Sequence, residues 1–380
     1  MSILPQLRAS RGPLACFVGM GLVWGSFMAA MPDVKAGLGV SDGTMGLLLI
    51  WGSVAAITMM SLTPLFGSAL GRAALPGFGL LMGVSLAVMG LAEGPLPFVL
   101  ALMGMGMASG ALDVLMNARL SAIEAQRGES LMSLNHGLYS LGFAAAAVLT
   151  GVARAAGWSV TAILGTGALA VVVLALMAYE RDGRIEGLER ARGRERVALG
   201  LAPLLGGALI LAGLMAENAV EAWSALFVER ELGGALGAGS LAPALMAVTM
   251  GFGRLTAQAF GHRMRQRWLL SGGLAVALAG VVVVASAVSP GWAYLGFAVM
   301  GLGASVVVPT TLVLIGRATT HETRSRAIAR ATVLGYLGYF MGPPVLGLVA
   351  EHAGLRLSFG LIALILALAA LAIPPLVKRA

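Results

Sequence analysis

The sequence predicts an all-α integral membrane protein, with twelve transmembrane helices in two pseudo-symmetric six-helix bundles. Three observations predict it. Of the 380 residues, 58% are hydrophobic and only 11% charged, whereas a soluble domain carries about a quarter charged residues. The apolar residues fall in runs of about twenty, the length of a bilayer-crossing helix and roughly twice that of a barrel strand. One polar segment, 180–200, holds six arginines and five acids and divides the runs into two sets of six.

The predicted spans are 13–31, 43–69, 74–92, 96–117, 132–153 and 158–179, then 201–228, 240–260, 268–288, 292–316, 328–350 and 356–377. This defines an N-terminal bundle (1–179), a basic cytoplasmic linker (180–200) and a C-terminal bundle (201–380). The first run follows Arg8 and Arg11 as a signal peptide would. It is longer than a signal core, and eleven more runs follow, so it is read as a retained span. The 54 glycines suit closely packed membrane helices. Cys16 is the single cysteine, which excludes an intrachain disulfide and a cysteine metal site.

Orientation follows from the basic residues. With the N-terminus inside, only Lys35, Arg154, Arg230 and Arg356 face out, leaving 21 of the 25 on or near the inner side. The positive-inside rule therefore puts both termini and 180–200 in the cytoplasm, with the chain in the cell membrane, which is the inner membrane if the source is bacterial. The net charge of +8 does not indicate nucleic acid, because it is spread over short loops between apolar runs.

The halves share features. Gly71 and Gly83 match Gly261 and Gly273 at a constant offset. Met103-Gly-Met-Gly106 in the fourth span is echoed by Met300-Gly-Leu-Gly303 in the tenth. Gly142 and Gly151 of the fifth span have the spacing of Gly338 and Gly347 in the eleventh. Parallel six-helix halves are a transporter plan that binds its solute at mid-membrane.

Twelve spans, a basic central loop and two similar halves resemble the major facilitator superfamily over nearly the whole chain. The family's loop pattern after the second span, Gly-x-x-x-Asp-Arg-x-Gly-Arg, survives as Gly67-Ser-Ala-Leu-Gly71-Arg72, without its Asp. The corresponding loop after the eighth span, Gly253-Arg254 and then Gly261-His262-Arg263, also lacks the acid. Three further segments resemble the fucose and glucose proton symporter branch and its uncharacterised relatives. These are Asp113-Val-Leu-Met-Asn117, Ala216-Glu217 followed by Trp223, and Asn135-His136-Gly137-Leu-Tyr139-Ser140-Leu-Gly142. The resemblance implies secondary transport of a small solute, possible substrates being a sugar or related polar metabolite.

Three carboxylates interrupt apolar runs. An ionised side chain at bilayer depth costs several kcal/mol without a partner or a task. Asp113 and Asn117, four apart, share a helix face; the bland alternative is an interhelical hydrogen bond. Glu217 and Glu221 repeat that spacing and repel if both are ionised. Asp113 and Glu217 are the candidate proton-coupling residues. Glu221 is expected nearer the outer interface, where water screens it. Asn117, Asn135, His136, Tyr139, Glu221 and Trp223 are the candidate substrate contacts, although a buried structural His or an interfacial Trp anchor explains two of them equally well. Arg254 is expected to snorkel to the cytoplasmic edge, the alternative being to meet a carboxylate. Gly342-Pro343-Pro344 is expected to interrupt the eleventh helix as a gating bend, and Pro309 to break the tenth. Gly21-x-x-x-Gly25, Gly106-x-x-x-Gly110 and Gly338-x-x-x-Gly342 are expected to bring helices into close approach.

No enzyme signature, phosphate loop or metal-ligand spacing is present, and the only lysines are Lys35 and Lys378. The chain is expected to need no cofactor and not to be an enzyme. It is expected to act as a monomer in the lipid bilayer, exchanging a small molecule and protons. Two rivals remain: a proton-driven exporter of drugs or metabolites, and a non-transporting sensor or scaffold.

Overall fold

The computed structural model describes all residues except 1–2, 129–130, 184, 186–198 and 261–263. Most of the linker 180–200 and the loop residues Gly261, His262 and Arg263 thus lie outside the described residues. In lipid every backbone N–H and C=O must be satisfied within the protein, and apolar runs of this length achieve that as helices. The helices are α1 (Ile3–Ala9), α2 (Arg11–Ala29), α3 (Met31–Leu38), α4 (Asp42–Leu70), α5 (Ala74–Gly90), α6 (Pro95–Arg127), α7 (Met132–Ala155) and α8 (Val160–Met177). They continue as α9 (Ala202–Leu226), α10 (Leu241–Phe260), α11 (Gln266–Ala285), α12 (Pro290–Ala304), α13 (Val307–Arg317), α14 (His321–Ala370) and α15 (Ile373–Val377). Nine stretches of described residues are long and apolar enough to cross a membrane, and two of them, Asp42–Gly90 and Arg326–Val377, have 49 and 52 residues. Each of those two is long enough for two crossings. The 20 residues of α10 add another helix of spanning length.

Two compact units result. Unit 1 comprises Met1–Val40 and Leu48–Arg192, and unit 2 comprises Ser41–Leu47 and Gly193–Ala380. Inside unit 1, α2 packs on α7 and α8, and α5 packs on α6 and α8. Inside unit 2, α9 packs on α14, while α11 packs on α12 and α14. Spans one and three thus pack on the fourth, fifth and sixth spans of unit 1 much as spans seven and nine pack on α12 and α14 of unit 2, where α14 holds both the eleventh and the twelfth spans.

Glycine sets the tightest seams. A Cβ on Gly21 or Gly25 would strike the backbone of Tyr139 or Phe143 on α7. One on Gly106 or Gly110 would strike the carbonyls of Gly52 or Ala56 on α4, and one on Gly338 the carbonyl of Leu211 on α9. All three small-residue motifs therefore serve helix approach. The glycines that hinted at a repeat are not equivalent one for one. Gly104 faces Ser85 of α5, whereas its sequence counterpart Gly301 faces Met246 and Thr249 of α10. What repeats is the pairing of helices, with the contact glycines shifted along them.

We expect Gly106→Leu to destabilise the protein by about 1–3 kcal/mol, the usual cost of overpacking. Cys16 is the one thiol in the chain and is buried. Its rate of reaction with a fluorogenic maleimide during a thermal ramp in detergent measures the loss. An unchanged midpoint would show that the α4–α6 seam is loose.

The prolines depart from expectation. Pro343 and Pro344 lie inside α14, which runs through them; its non-helical residue is Gly354, at φ 82°. The prolines remove two N–H donors but keep a helical φ. Neighbours hold the backbone in place: Gly342 lies beside Asn218, and Gly46 fits closely against the Pro343 carbonyl. Gly354 is where two helices join within α14, between the eleventh and twelfth predicted spans, and its left-handed φ costs glycine no Cβ clash. The tenth span does divide, into α12 and α13, at Ser305 and Val306. That is one turn before Pro309, since the missing donor would have bonded the Ser305 carbonyl.

Ion pairs tie helix ends within each unit. Arg154, whose side chain is fully buried, grips Asp33 through Nε to Oδ2 at 2.7 Å and Nη2 to Oδ1 at 2.6 Å, and donates to the Ala29 carbonyl. Glu180 accepts from the Gly12 amide and from Arg119, so the first residue assigned to the linker is buried in unit 1. In unit 2, Arg230 pairs with Asp42, and Glu351 accepts from the Ser41 hydroxyl and the Gly43 amide.

Candidate functional site

Each unit carries one polar stripe on an otherwise apolar helix. In unit 1 it runs along α6 as Ser109, Asp113 and Asn117, four residues apart and therefore on one face. Asn117 Nδ2 donates to the Asp113 carbonyl at 2.7 Å and to its Oδ1 at 3.1 Å. The expected shared face is thus present, and the amide holds the carboxyl in place. No cation pairs with Asp113 among the described residues. One turn away, Ser109 accepts from the indole Nε1 of Trp24 on α2 at 3.2 Å. Sequence reasoning missed Trp24 and Ser109. The four-residue spacing from Asp113 would have found Ser109, but nothing local points to Trp24.

The α7 residues divide between interior and face. Asn135 is fully buried; its Nδ2 donates to the Leu131 carbonyl at 2.8 Å, and its Oδ1 has no partner among the described residues. His136 is half-buried and meets the Phe17 ring edge-on at 4.7 Å. Tyr139 is half-buried beside Phe143, and its backbone lines the α2 seam. Of these three, Asn135 sits deepest in the packing and His136 and Tyr139 are the more accessible.

In unit 2 the stripe belongs to α9. Glu217 and Glu221 lie one turn apart and are both half-buried. Glu221 Oε2 accepts from the hydroxyl of Tyr339 on α14 at 2.8 Å. Glu221 thus has a protein donor beside it, a contact that its position along the helix does not foretell. The reason is the length of the tyrosine, which spans the α9–α14 seam. Arg254 of α10 places Nη2 3.9 Å from Glu217 Oε1. It meets a carboxylate instead of snorkelling away, at a separation that is an ion pair but too long for a hydrogen bond. Such a pair is worth from about 1 kcal/mol in water to about 4 kcal/mol at a protein-like dielectric. Glu217 is 23% and Arg254 41% exposed, so the lower part of that range applies.

Trp223 is 1% exposed and its ring lies against Gly347 of α14. Two residues on a helix are about 200° apart, so it points away from the Glu217–Glu221 face. It is neither an interfacial anchor nor a neighbour of the carboxylates. Its Nε1, the Asn218 Oδ1 and the Ser224 Oγ are buried without hydrogen-bond partners among the described residues. Gly342, Pro343 and Pro344 are buried on α14 one turn beyond Tyr339. Among the described residues no cluster of three metal-ligating side chains occurs.

Comparisons with known proteins agree with this architecture. Residues 205–379 match the family model described as Major Facilitator Superfamily. An uncharacterised transporter of that type from Yersinia pestis is 29% identical over 323 residues, covering 82% of this chain and 81% of the relative. Among solved structures, a bacterial homologue of the human lysosomal transporter Spinster, inward-facing and occupied, superposes with a TM-score of 0.78 at 13% identity, covering 100% of this chain and 98% of that one. A D-xylose–proton symporter superposes with a TM-score of 0.75 at 16% identity, covering 97% and 96%.

Proposed function

We propose that this chain is a multi-pass membrane transporter of the major facilitator type and not an enzyme, and that it is a proton-coupled secondary transporter of a small polar solute; the family match over 205–379 and the transporter relatives support the first part. It works by alternating access, with both termini and the 180–200 linker cytoplasmic and a single chain as the working unit. The observation that carries the reading is Asp113: a carboxyl inside an apolar helix, partnered by an amide and, among the described residues, by no cation. A group so placed is stable when neutral and expensive when charged. It can therefore trade a proton for a conformational change.

Asp113 in unit 1 and one of the two α9 carboxylates in unit 2 handle the proton. Asn117, His136 and Tyr139 are the solute contacts of unit 1, with Ser109 one turn from Asp113 and Trp24 donating to it; Glu217, Glu221 and Tyr339 are those of unit 2. Amide, hydroxyl and carboxyl groups favour a polyhydroxylated solute such as a sugar. The resemblance of the α6, α7 and α9 motifs to the fucose and glucose proton symporter branch supports the same class.

The test is uptake by proteoliposomes under an imposed pH gradient, with sugars, organic acids and cationic dyes offered in turn. Accumulation of a sugar or related polar metabolite, abolished by a protonophore, is the expected result. Accumulation of cationic dyes instead would make the chain an exporter of amphipathic cations, and gradient-independent flux of every solute would remove proton coupling.

A further inference from the structure

The α9 site has one cation for two carboxylates. Among the described residues, the charged and titratable groups facing Glu221 are Glu217 on its own helix, Arg254 on α10 and Tyr339 on α14. Side chains one turn apart have Cβ atoms about 5–6 Å from each other. Two negative charges at that separation repel, more strongly in the protein than in water. A single arginine cannot balance both, so one carboxyl is best occupied by a proton.

Which one is decided by the contacts. Arg254 lies against Glu217, with Nη2 3.9 Å from its Oε1. The hydrogen bond to Glu221 comes from a neutral phenol, and a carboxyl needs no negative charge to accept it. The surroundings of Glu221 also call for a donor. Asn218 and Ser224 stand three residues before and after it, next to it along one helix row. Asn218 is 3% and Ser224 0% exposed. The Asn218 Oδ1 and the Ser224 Oγ both lack partners among the described residues. An amide oxygen can only accept, and leaving it unmet in the interior costs about 1–3 kcal/mol. The O–H of a neutral carboxyl can meet the Asn218 oxygen, directly or through one water.

We infer that Glu221 is the group of unit 2 that binds and releases the proton, with Tyr339 as the residue that positions it and Glu217 as the fixed counter-charge of Arg254. This rests on the proton-coupled reading above and names the residue within it. On release, the carboxyl O–H bond breaks and the proton passes to water. The new anion keeps the Tyr339 hydrogen bond and shares the Arg254 charge with Glu217; no electron transfer is involved.

The test is infrared difference spectroscopy of the full-length protein in liposomes as pH is stepped, with no gradient and no substrate. A titrating neutral-carboxyl band is expected in the wild type. One component should vanish in Glu221→Gln. The same component should persist in Asp113→Asn and in the Glu217→Gln, Arg254→Gln double variant, which removes the neighbouring ion pair together. Tyr339→Phe should move it to higher frequency, because the carbonyl oxygen loses its hydrogen bond. A spectrum unaltered by Glu221→Gln would overturn the inference. So would an unmoved band in Tyr339→Phe, a variant that keeps the ring and its packing. Failure of pH-driven uptake alone would remove the coupling reading and leave this assignment standing.

Discussion

Asp113→Asn is expected to reduce pH-driven accumulation to the level seen without a gradient, while substrate exchange across the membrane continues. The amide keeps the size of the side chain, and the Asn117 bond to the residue 113 carbonyl oxygen at 2.7 Å is a backbone contact that the substitution leaves in place. What it removes is the ability to exist in two charge states. An amide mimics the neutral carboxyl permanently, so each conformational crossing proceeds without a proton and the gradient loses its hold on the solute. Counterflow of labelled solute in proteoliposomes, beside uptake driven by an imposed gradient, separates the two effects. Normal gradient-driven accumulation at normal expression would rule Asp113 out of coupling. Loss of both activities would assign it to solute binding instead. Asn117→Ala should be milder, since it frees the carboxyl from its amide but leaves it titratable.

The α9 carboxylates should both matter, for different reasons. Position along the helix alone predicts severe loss in Glu217→Gln and mild loss in Glu221→Gln. The contacts predict severe loss in both. Glu217→Gln leaves Arg254 without its counter-charge, 3.9 Å from a neutral amide. That defect is repairable: adding Arg254→Gln removes the stranded cation and should recover transport by roughly five- to tenfold, a coupling of about 1 kcal/mol. Glu221→Gln removes the exchangeable proton, and the same second substitution should recover nothing. The measurement is the pH profile of initial uptake for the two single variants and the two doubles with Arg254→Gln. Mild loss in Glu221→Gln would reinstate the depth argument. Equal recovery of both single variants by Arg254→Gln would mean that the two carboxylates share the arginine.

Much of this molecule is local and therefore legible in a linear sequence. A backbone in lipid must satisfy its own hydrogen bonds, so apolar runs of about twenty residues read directly as helices. The close-approach motifs on α2, α6 and α14 were readable for the same reason, because a missing Cβ is a property of the residue itself. So was the shared face of Asp113 and Asn117, which depends only on the helical repeat.

The partners of those residues were not readable. Tyr339 meets Glu221, Arg254 meets Glu217, and Trp24 meets Ser109. Each pair joins different helices, so each depends on how far one helix has slid along another. The sequence by itself determined the helices, the polar stripes and the seams where glycine lets them touch. The tertiary structure alone decided that Trp223 packs inward, that α14 continues through its two prolines and bends at Gly354, and which carboxylate of α9 receives the arginine. The physical reason is that backbone hydrogen bonding is settled within a few residues. A side chain's charge or hydrogen bond is settled by whatever the packed neighbour presents at that height.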